Sequence, residues 1–77
     1  MPGFFLDEKY WNFLLLAEKD DVGARAYAFK YNGKIVYVED IPVNYPRITV
    51  CTRRGLKSVV KTLKRHGWNI VIDRSSE

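Results

Sequence analysis

The sequence predicts a small α+β domain with the element order α-β-β-β-α-β, in which a mixed, mostly antiparallel four-stranded sheet carries two helices on one face. Three observations predict this class: helical periodicity in two segments, an Asn32-Gly33 turn between alternating segments, and a length of 77 residues, which allows one core. The range 1–77 is therefore expected to form a single domain. A hydrophobic content of 47% excludes a disordered tail.

The first predicted helix covers Asp7 to Lys19, with Asp7 as its N-cap. At 100° per residue, one face carries Tyr10, Trp11, Leu14 and Ala17. Its apolar arc is widened by the neighbouring residues Phe13, Leu15 and Leu16. Such a broad arc indicates a helix that packs deeply against the sheet, or one that forms a subunit interface.

A β-hairpin is predicted for Ala24 to Tyr31 and Lys34 to Asp40, because a type I′ turn needs positive φ at both of its central residues and Asn-Gly supplies it. A two-residue loop sets the register, which pairs Tyr31 with Lys34 and Arg25 with Asp40. The opposite charges of Arg25 and Asp40 favour that register.

The two faces of this hairpin differ in side-chain size. One carries Tyr27, Phe29 and Tyr31, and the reverse face carries alanines. Because large apolar side chains are usually buried, we expect the helices to cover the aromatic face. If the small alanines instead allow close helix approach, the aromatic residues are free to stack bases or to meet a second subunit.

The rest of the chain predicts a β-α-β unit. Pro42 and Pro46 place the segment 41–46 in a loop, and a β-branched strand follows from Arg47 to Cys51. Thr52 is a suitable N-cap for a helix over Arg53 to His66, with Gly67 at the C′ position. The short connections predict that a final strand, Trp68 to Ile72, runs parallel to Arg47–Cys51 through a right-handed crossover.

The positive charge is concentrated near the end of the chain. Residues 1–46 contain five Lys/Arg and seven Asp/Glu, whereas residues 47–77 contain eight and two, so a formal charge of +4 divides into −2 and +6. This asymmetry indicates a polyanionic partner for the second half.

Most of these cations form one stripe on the predicted second helix. The candidate phosphate-contacting residues are Arg47, Arg53, Arg54, Gly55, Lys57, Lys61, Lys64 and Arg65. A solvated face accounts for Lys64 and Arg65, which suit the negative end of the helix dipole. It does not account for Arg53 and Arg54 at the positive end, where backbone N–H groups, Gly55 and two guanidinium groups would suit a bound anion.

No complete catalytic set is present in the sequence. Cys51 and His66 bracket a helix and are predicted to lie about 20 Å apart at 1.5 Å per residue. Glu39 and Asp40 point to opposite faces of a strand and cannot converge on one metal ion. One Cys and one His also exclude a zinc site. We therefore expect no enzyme activity, no cofactor and no metal.

The expected function is a cytoplasmic, largely sequence-independent nucleic-acid-binding protein that contacts DNA or RNA phosphates through the helix 53–66. Tyr27, Phe29 and Tyr31 are possible base-stacking residues, and a homodimer is possible. The alternative is a protein-interaction or inhibitory accessory module, of viral or mobile-element type, that uses the first helix or the tyrosine-rich hairpin. No apolar run is long enough to span a membrane.

Overall fold

A computed structural model describes residues 12–77 and contains one antiparallel sheet and one α-helix. The elements are β1 (Phe13–Lys19), a 3-10 turn (Asp20–Val22), β2 (Ala24–Tyr31), β3 (Lys34–Asp40), β4 (Arg47–Cys51), α1 (Arg53–Arg65) and β5 (Asn69–Asp73). The strand order is β4-β3-β2-β1-β5, and each neighbouring pair is antiparallel. The α+β class is confirmed, with five strands in place of four.

The β2–β3 hairpin is confirmed, including its register. Arg25 pairs with Asp40 and Tyr31 pairs with Lys34. Asn32 and Gly33 have φ angles of 52° and 78°, as a type I′ turn requires. β4 also has the predicted bounds, and it pairs with β3.

The predicted first helix is wrong over Phe13–Lys19, which forms strand β1, and the part from Asp7 to Trp11 lies outside the described residues. Leu15, Leu16 and Ala17 are consecutive and buried, so β1 is covered on both faces. A short apolar run of this kind fits a buried strand as well as a helix, and periodicity does not separate the two. β1 has a strand on each side, β2 and β5, and these pairings stabilise the extended form.

The predicted parallel pairing of the last strand with β4 is also wrong. β5 covers Asn69–Asp73 and pairs antiparallel with β1, at the sheet edge opposite β4. The four antiparallel steps between β4 and β5 do give these strands the same direction. The β4–α1–β5 connection therefore joins opposite edges of the sheet, and the sheet is purely antiparallel rather than mixed.

Helix α1 is confirmed to within one residue of its predicted end. Thr52 caps its start by accepting a hydrogen bond from the Gly55 amide at 3.0 Å. At the other end Gly67, with a φ of 86°, donates to the Lys64 carbonyl, and Trp68 donates to the Leu63 carbonyl. These two bonds form a Schellman motif, which requires positive φ at Gly67.

Helix α1 covers the alanine face of the hairpin, whereas the sequence predicted that the helices cover the aromatic face. Leu56, Val60 and Leu63 share one buried cluster with side chains of three strands: Leu15, Ala17, Ala26, Ala28, Ile35 and Tyr37. Alanine allows a helix to approach the sheet closely, and three large helix residues then fill the space above it. We call the opposite side, which carries Tyr27 and Phe29, the outer face.

Candidate nucleic-acid interface

The orientation of α1 depends on its apolar stripe and its N-cap. Leu56, Val60 and Leu63 are almost completely buried, with exposed fractions of 0%, 4% and 3%. Because these residues face the sheet, the residues 100° to 180° away from Leu56 on the helix must face outward. The helix begins abruptly at Arg53, since the Thr52 hydroxyl satisfies one of its free amides.

Five cations lie on the exposed side of this helix. They are Arg54, Lys57, Lys61, Lys64 and Arg65, and all five are exposed. Within residues 12–77, none of their side chains forms a hydrogen bond or a salt bridge. We call these five residues the basic stripe. It provides a row of positive charges without a salt-bridge partner among the described residues.

The basic stripe lies on the flank of α1 that faces β5. Lys64 is close enough to Asp73 of β5 to help lower the pKa of that carboxyl group. The hydroxyl of Ser75, which donates to Asp73 Oδ1 at 2.7 Å, is the largest cause of the same shift. Ser58 and Thr62 occupy the other exposed flank, and the Thr62 hydroxyl donates to the Ser58 carbonyl.

Two predicted residues at the start of the helix are less accessible than the stripe. Arg53 is half-buried, and its guanidinium donates to the Ser75 carbonyl oxygen at 3.5 Å. The Gly55 amide already has Thr52 as its partner. The helix start therefore has one free amide fewer for the anion that the sequence suggested.

Arg47 is separated from the other predicted phosphate contacts. It begins β4, whereas α1 begins just after the end of that strand, so about 13 Å of extended chain lies between them. Arg47 is exposed and pairs across the ladder with Glu39. The structure does not bring Arg47 together with the basic stripe.

The predicted stacking residues lie on the outer face, but two of them already stack on protein rings. The ring of Phe13 in β1 stacks on the ring of Tyr27 with a centroid distance of 5.4 Å and an interplanar angle of 7°. The ring centroids of Tyr27 and Phe29 are 6.3 Å apart. Tyr27 and Phe29 are half-buried, whereas Tyr31 is 63% exposed. Tyr31 is therefore the most accessible of the three. The role of Phe13 was missed because the sequence placed it on a helix.

Three further cations lie near the start of α1. They are at the end of the sheet that carries the β2–β3 turn, and we call this the hairpin end. Lys30 and Lys34 line an open cleft of about 610 Å³ together with Cys51, Thr52 and Arg53. A neighbouring cleft of about 290 Å³ is lined by Lys30, Arg53, Arg74 and Glu77. Sequence alone does not join these cations to the site, because their proximity depends on the β3–β4 and β1–β5 pairings.

The opposite end of the sheet carries most of the carboxylates of the described residues. The β1–β2 turn and the end of β3 bring together Glu18, Asp20, Asp21, Glu39 and Asp40. Lys19 at this end is 3.6 Å from the Asp21 carboxylate. Lys19, Arg25 and Arg47 lie among these carboxylates, so this end has a mixed charge whereas the hairpin end is basic.

Cys51 and Tyr37 have the surroundings of structural residues. Burial raises the pKa of the half-buried Cys51 thiol, which disfavours the reactive thiolate. Burial and a 2.7 Å hydrogen bond to Glu39 raise the pKa of Tyr37. Among residues 12–77, no three His, Cys, Asp or Glu side chains are grouped closely enough to hold a metal ion.

The described residues contain no helix with the length and apolar character needed to cross a membrane. Comparisons of the chain with protein-family models, with curated proteins and with solved structures find no match.

Proposed function

We propose that this chain is a small, non-enzymatic nucleic-acid-binding domain whose basic stripe contacts phosphates. The observation that carries the proposal is the set of five exposed cations on one flank of α1, without a salt-bridge partner in the described residues. A protein surface of this kind gains free energy from a polyanion by releasing its counterions.

The spacing of the cations supports a ligand rather than a simply solvated face. Lys57 and Lys61 are four residues apart, as are Lys61 and Arg65, and α1 has no acidic residue in its first turn. Like charges at this spacing destabilise a helix by about 0.2–0.5 kcal/mol per pair. A bound polyanion would remove that repulsion.

The length of the basic stripe matches several phosphates. From Arg54 to Arg65 the helix rises about 16 Å at 1.5 Å per residue. A DNA strand presents one phosphate per roughly 3.4 Å of duplex axis, so about five phosphates lie alongside such a helix. Flexible lysine side chains contact phosphates as point charges, which favours binding with little dependence on base sequence.

The proposal is tested by measuring fluorescence anisotropy of labelled duplex and single-stranded DNA and RNA with wild-type protein and with Lys57→Gln/Lys61→Gln. We expect the double variant to bind about ten to a hundred times more weakly, because two phosphate contacts are lost. Both side chains are exposed, so the variant should retain the wild-type fold.

The matched control is Arg25→Gln/Arg47→Gln, which removes two positive charges from exposed strand positions outside α1. Its affinity should change by less than about threefold, because the two cations lie away from the stripe and their field is screened within roughly 10 Å at 0.1 M salt. Equal losses in both variants would show a response to net charge alone and would refute an interface on α1, as would failure of the wild-type protein to bind any of the four ligands.

A second candidate, a protein-interaction module, is favoured by a different observation. Val43 and Tyr45 in the β3–β4 loop are 101% and 93% exposed, and Val43 has a φ of 70°, a rare conformation for a β-branched residue. Exposed apolar side chains on a strained loop suit a protein partner. Wild-type protein that binds no nucleic acid at low salt would favour this candidate.

A further inference from the structure

Strand β4 is a sheet edge with exposed apolar side chains. β3 pairs with one edge of β4, and no strand within residues 12–77 pairs with its other edge. Ile48 and Val50 point to the outer face and are 68% and 62% exposed. Natural edge strands usually carry a lysine, a proline or a bulge that prevents further pairing, and the interior of β4 has none of these.

The hairpin register shows which backbone groups of β4 are free. In a two-residue hairpin the closing pair, Tyr31 and Lys34, is hydrogen-bonded, and bonded and non-bonded pairs then alternate. Odd-numbered residues of β3 consequently bond to β4, where their partners are Arg47, Thr49 and Cys51. The N–H and C=O groups of Ile48 and Val50 must therefore point to the open side.

The pattern of β4 is complementary to itself. When the strand is turned by 180° about Thr49, Ile48 lies opposite Val50 of the second copy, and all five residues overlap. We propose that β4 pairs antiparallel with β4 of a second copy about a two-fold axis through Thr49, which joins two five-stranded sheets into one. The free groups of Ile48 and Val50 then form four hydrogen bonds between the copies.

Cross-strand side-chain pairing favours a second copy as the occupant of this edge. In the antiparallel pair each exposed Ile48 lies opposite an exposed Val50, and directly opposed β-branched side chains stabilise a ladder. Glu39 and Asp40 of each copy lie on the same side of the axis as Lys34 and Arg53 of the other copy, with Arg47 of β4 between them. The apolar residues Val36 and Val38 adjoin Ile48 and Val50 on the outer face of each copy. Pairing brings the exposed Ile48 and Val50 of the two copies into one apolar cluster beside these valines.

The first test is sedimentation velocity of the full chain over a concentration series, comparing wild type with Val50→Pro. Proline removes only the outward N–H of residue 50, which edge strands tolerate on their open side. Two of the four intermolecular bonds are lost, and we expect the dimer dissociation constant to rise about thirtyfold, equivalent to about 2 kcal/mol. A wild-type protein that remains monomeric up to millimolar concentration overturns the proposal.

A pair of lysine variants separates the edge from general surface hydrophobicity. Val50→Lys places a charge on β4, whereas Val22→Lys places one on the β1–β2 turn, where Val22 is 50% exposed. We expect Val50→Lys to be monomeric and Val22→Lys to dimerise like the wild type. Dimerisation of both variants, or of neither, overturns the assignment to β4. Thermal unfolding followed by circular dichroism checks that both variants are folded.

The register is tested by disulfide formation in a Cys51→Ser background. Thr49 faces its own copy as a non-hydrogen-bonded pair with a Cα separation of about 4.5 Å, within the range of disulfides. Thr49→Cys should therefore cross-link on mild oxidation, and Ile48→Cys should not. Cross-linking of Ile48→Cys alone would contradict the register, and pairing with a foreign chain would leave both variants uncross-linked.

Discussion

Among single residues, Thr52 has a decisive influence on the candidate site. Its hydroxyl accepts from the Gly55 amide and thereby starts α1 at Arg53. The 100° step from each residue to the next then sets the angle between every cation and Leu56, which is completely buried. The N-cap could be predicted from sequence because capping is a local interaction. The half-burial of Arg53 against Ser75 could not, because its partner is 22 residues away.

Asp73 supplies a prediction about pH at the same scale. Hydrogen bonds from Ser75 lower its pKa below the ordinary value of 3.8, so the charged form stabilises the folded state. This stabilisation is fully present above about pH 4 and is lost as the pH falls through the pKa of the folded state. Asp73→Asn should reduce the free energy of unfolding by about 0.5–1 kcal/mol at pH 7, since the carboxylate is largely exposed.

Urea unfolding at pH 7 and at pH 2.5 measures this effect. The two proteins should differ in free energy of unfolding at pH 7, and this difference should be smaller at pH 2.5. Ser75→Ala keeps the amide donor and removes the hydroxyl. It should reduce the free energy of unfolding by less than Asp73→Asn does. An equal difference between wild type and Asp73→Asn at both pH values would contradict an origin in the carboxylate charge.

For whole elements, predictions from sequence succeeded where local turn chemistry decides the structure. Asn32-Gly33 determines the hairpin register, and Gly67 terminates α1. They failed for β1, whose apolar run fits a helix equally well, and for β5, whose partner is set by a pairing between residues far apart in the chain. The prediction of the hairpin face that contacts α1 was also wrong. It considered only the size of the side chains and not the close approach of a helix that alanine permits.

The covered alanine face predicts a specific sensitivity to size. Ala26 is completely buried in the cluster beneath α1, so Ala26→Leu must displace the helix or neighbouring side chains. Overpacking of this kind costs about 1–3 kcal/mol in the free energy of unfolding. The neighbouring variant Arg25→Leu adds a leucine on the exposed side and should change stability by less than about 0.5 kcal/mol. Equal stability of both variants in urea unfolding would contradict the placement of α1 on this face.

For the whole molecule, the distribution of charge is more informative than the net charge of +4. The sequence showed that the cations cluster in the second half of the chain. The structure adds Lys30, Lys34 and Arg74, which the strand pairings bring to the helix start. These three cations could not be assigned from sequence, since two of them belong to the acidic first half.

The salt dependence of binding follows from this arrangement. If all five cations of the basic stripe contact phosphates, the slope of log Kobs against log salt concentration for duplex DNA should be about −4.5. Lys57→Gln/Lys61→Gln should reduce its magnitude by about 1.8, because each lost contact contributes about 0.9. Anisotropy titrations between 50 and 300 mM NaCl measure both slopes. An unchanged slope in the variant would place the phosphate contacts elsewhere on the molecule.

The pairing of β5 with β1 also has a consequence for how the chain folds. β1 to β4 form a meander in which each strand meets the next one along the chain, so these contacts close short loops. The β1–β5 ladder joins Leu15 to Asp73 and closes a loop of more than 50 residues, at a higher entropic cost. β1 must therefore wait for β5, and the edge of β1 that β5 covers is exposed to aggregation until β5 has left the ribosome.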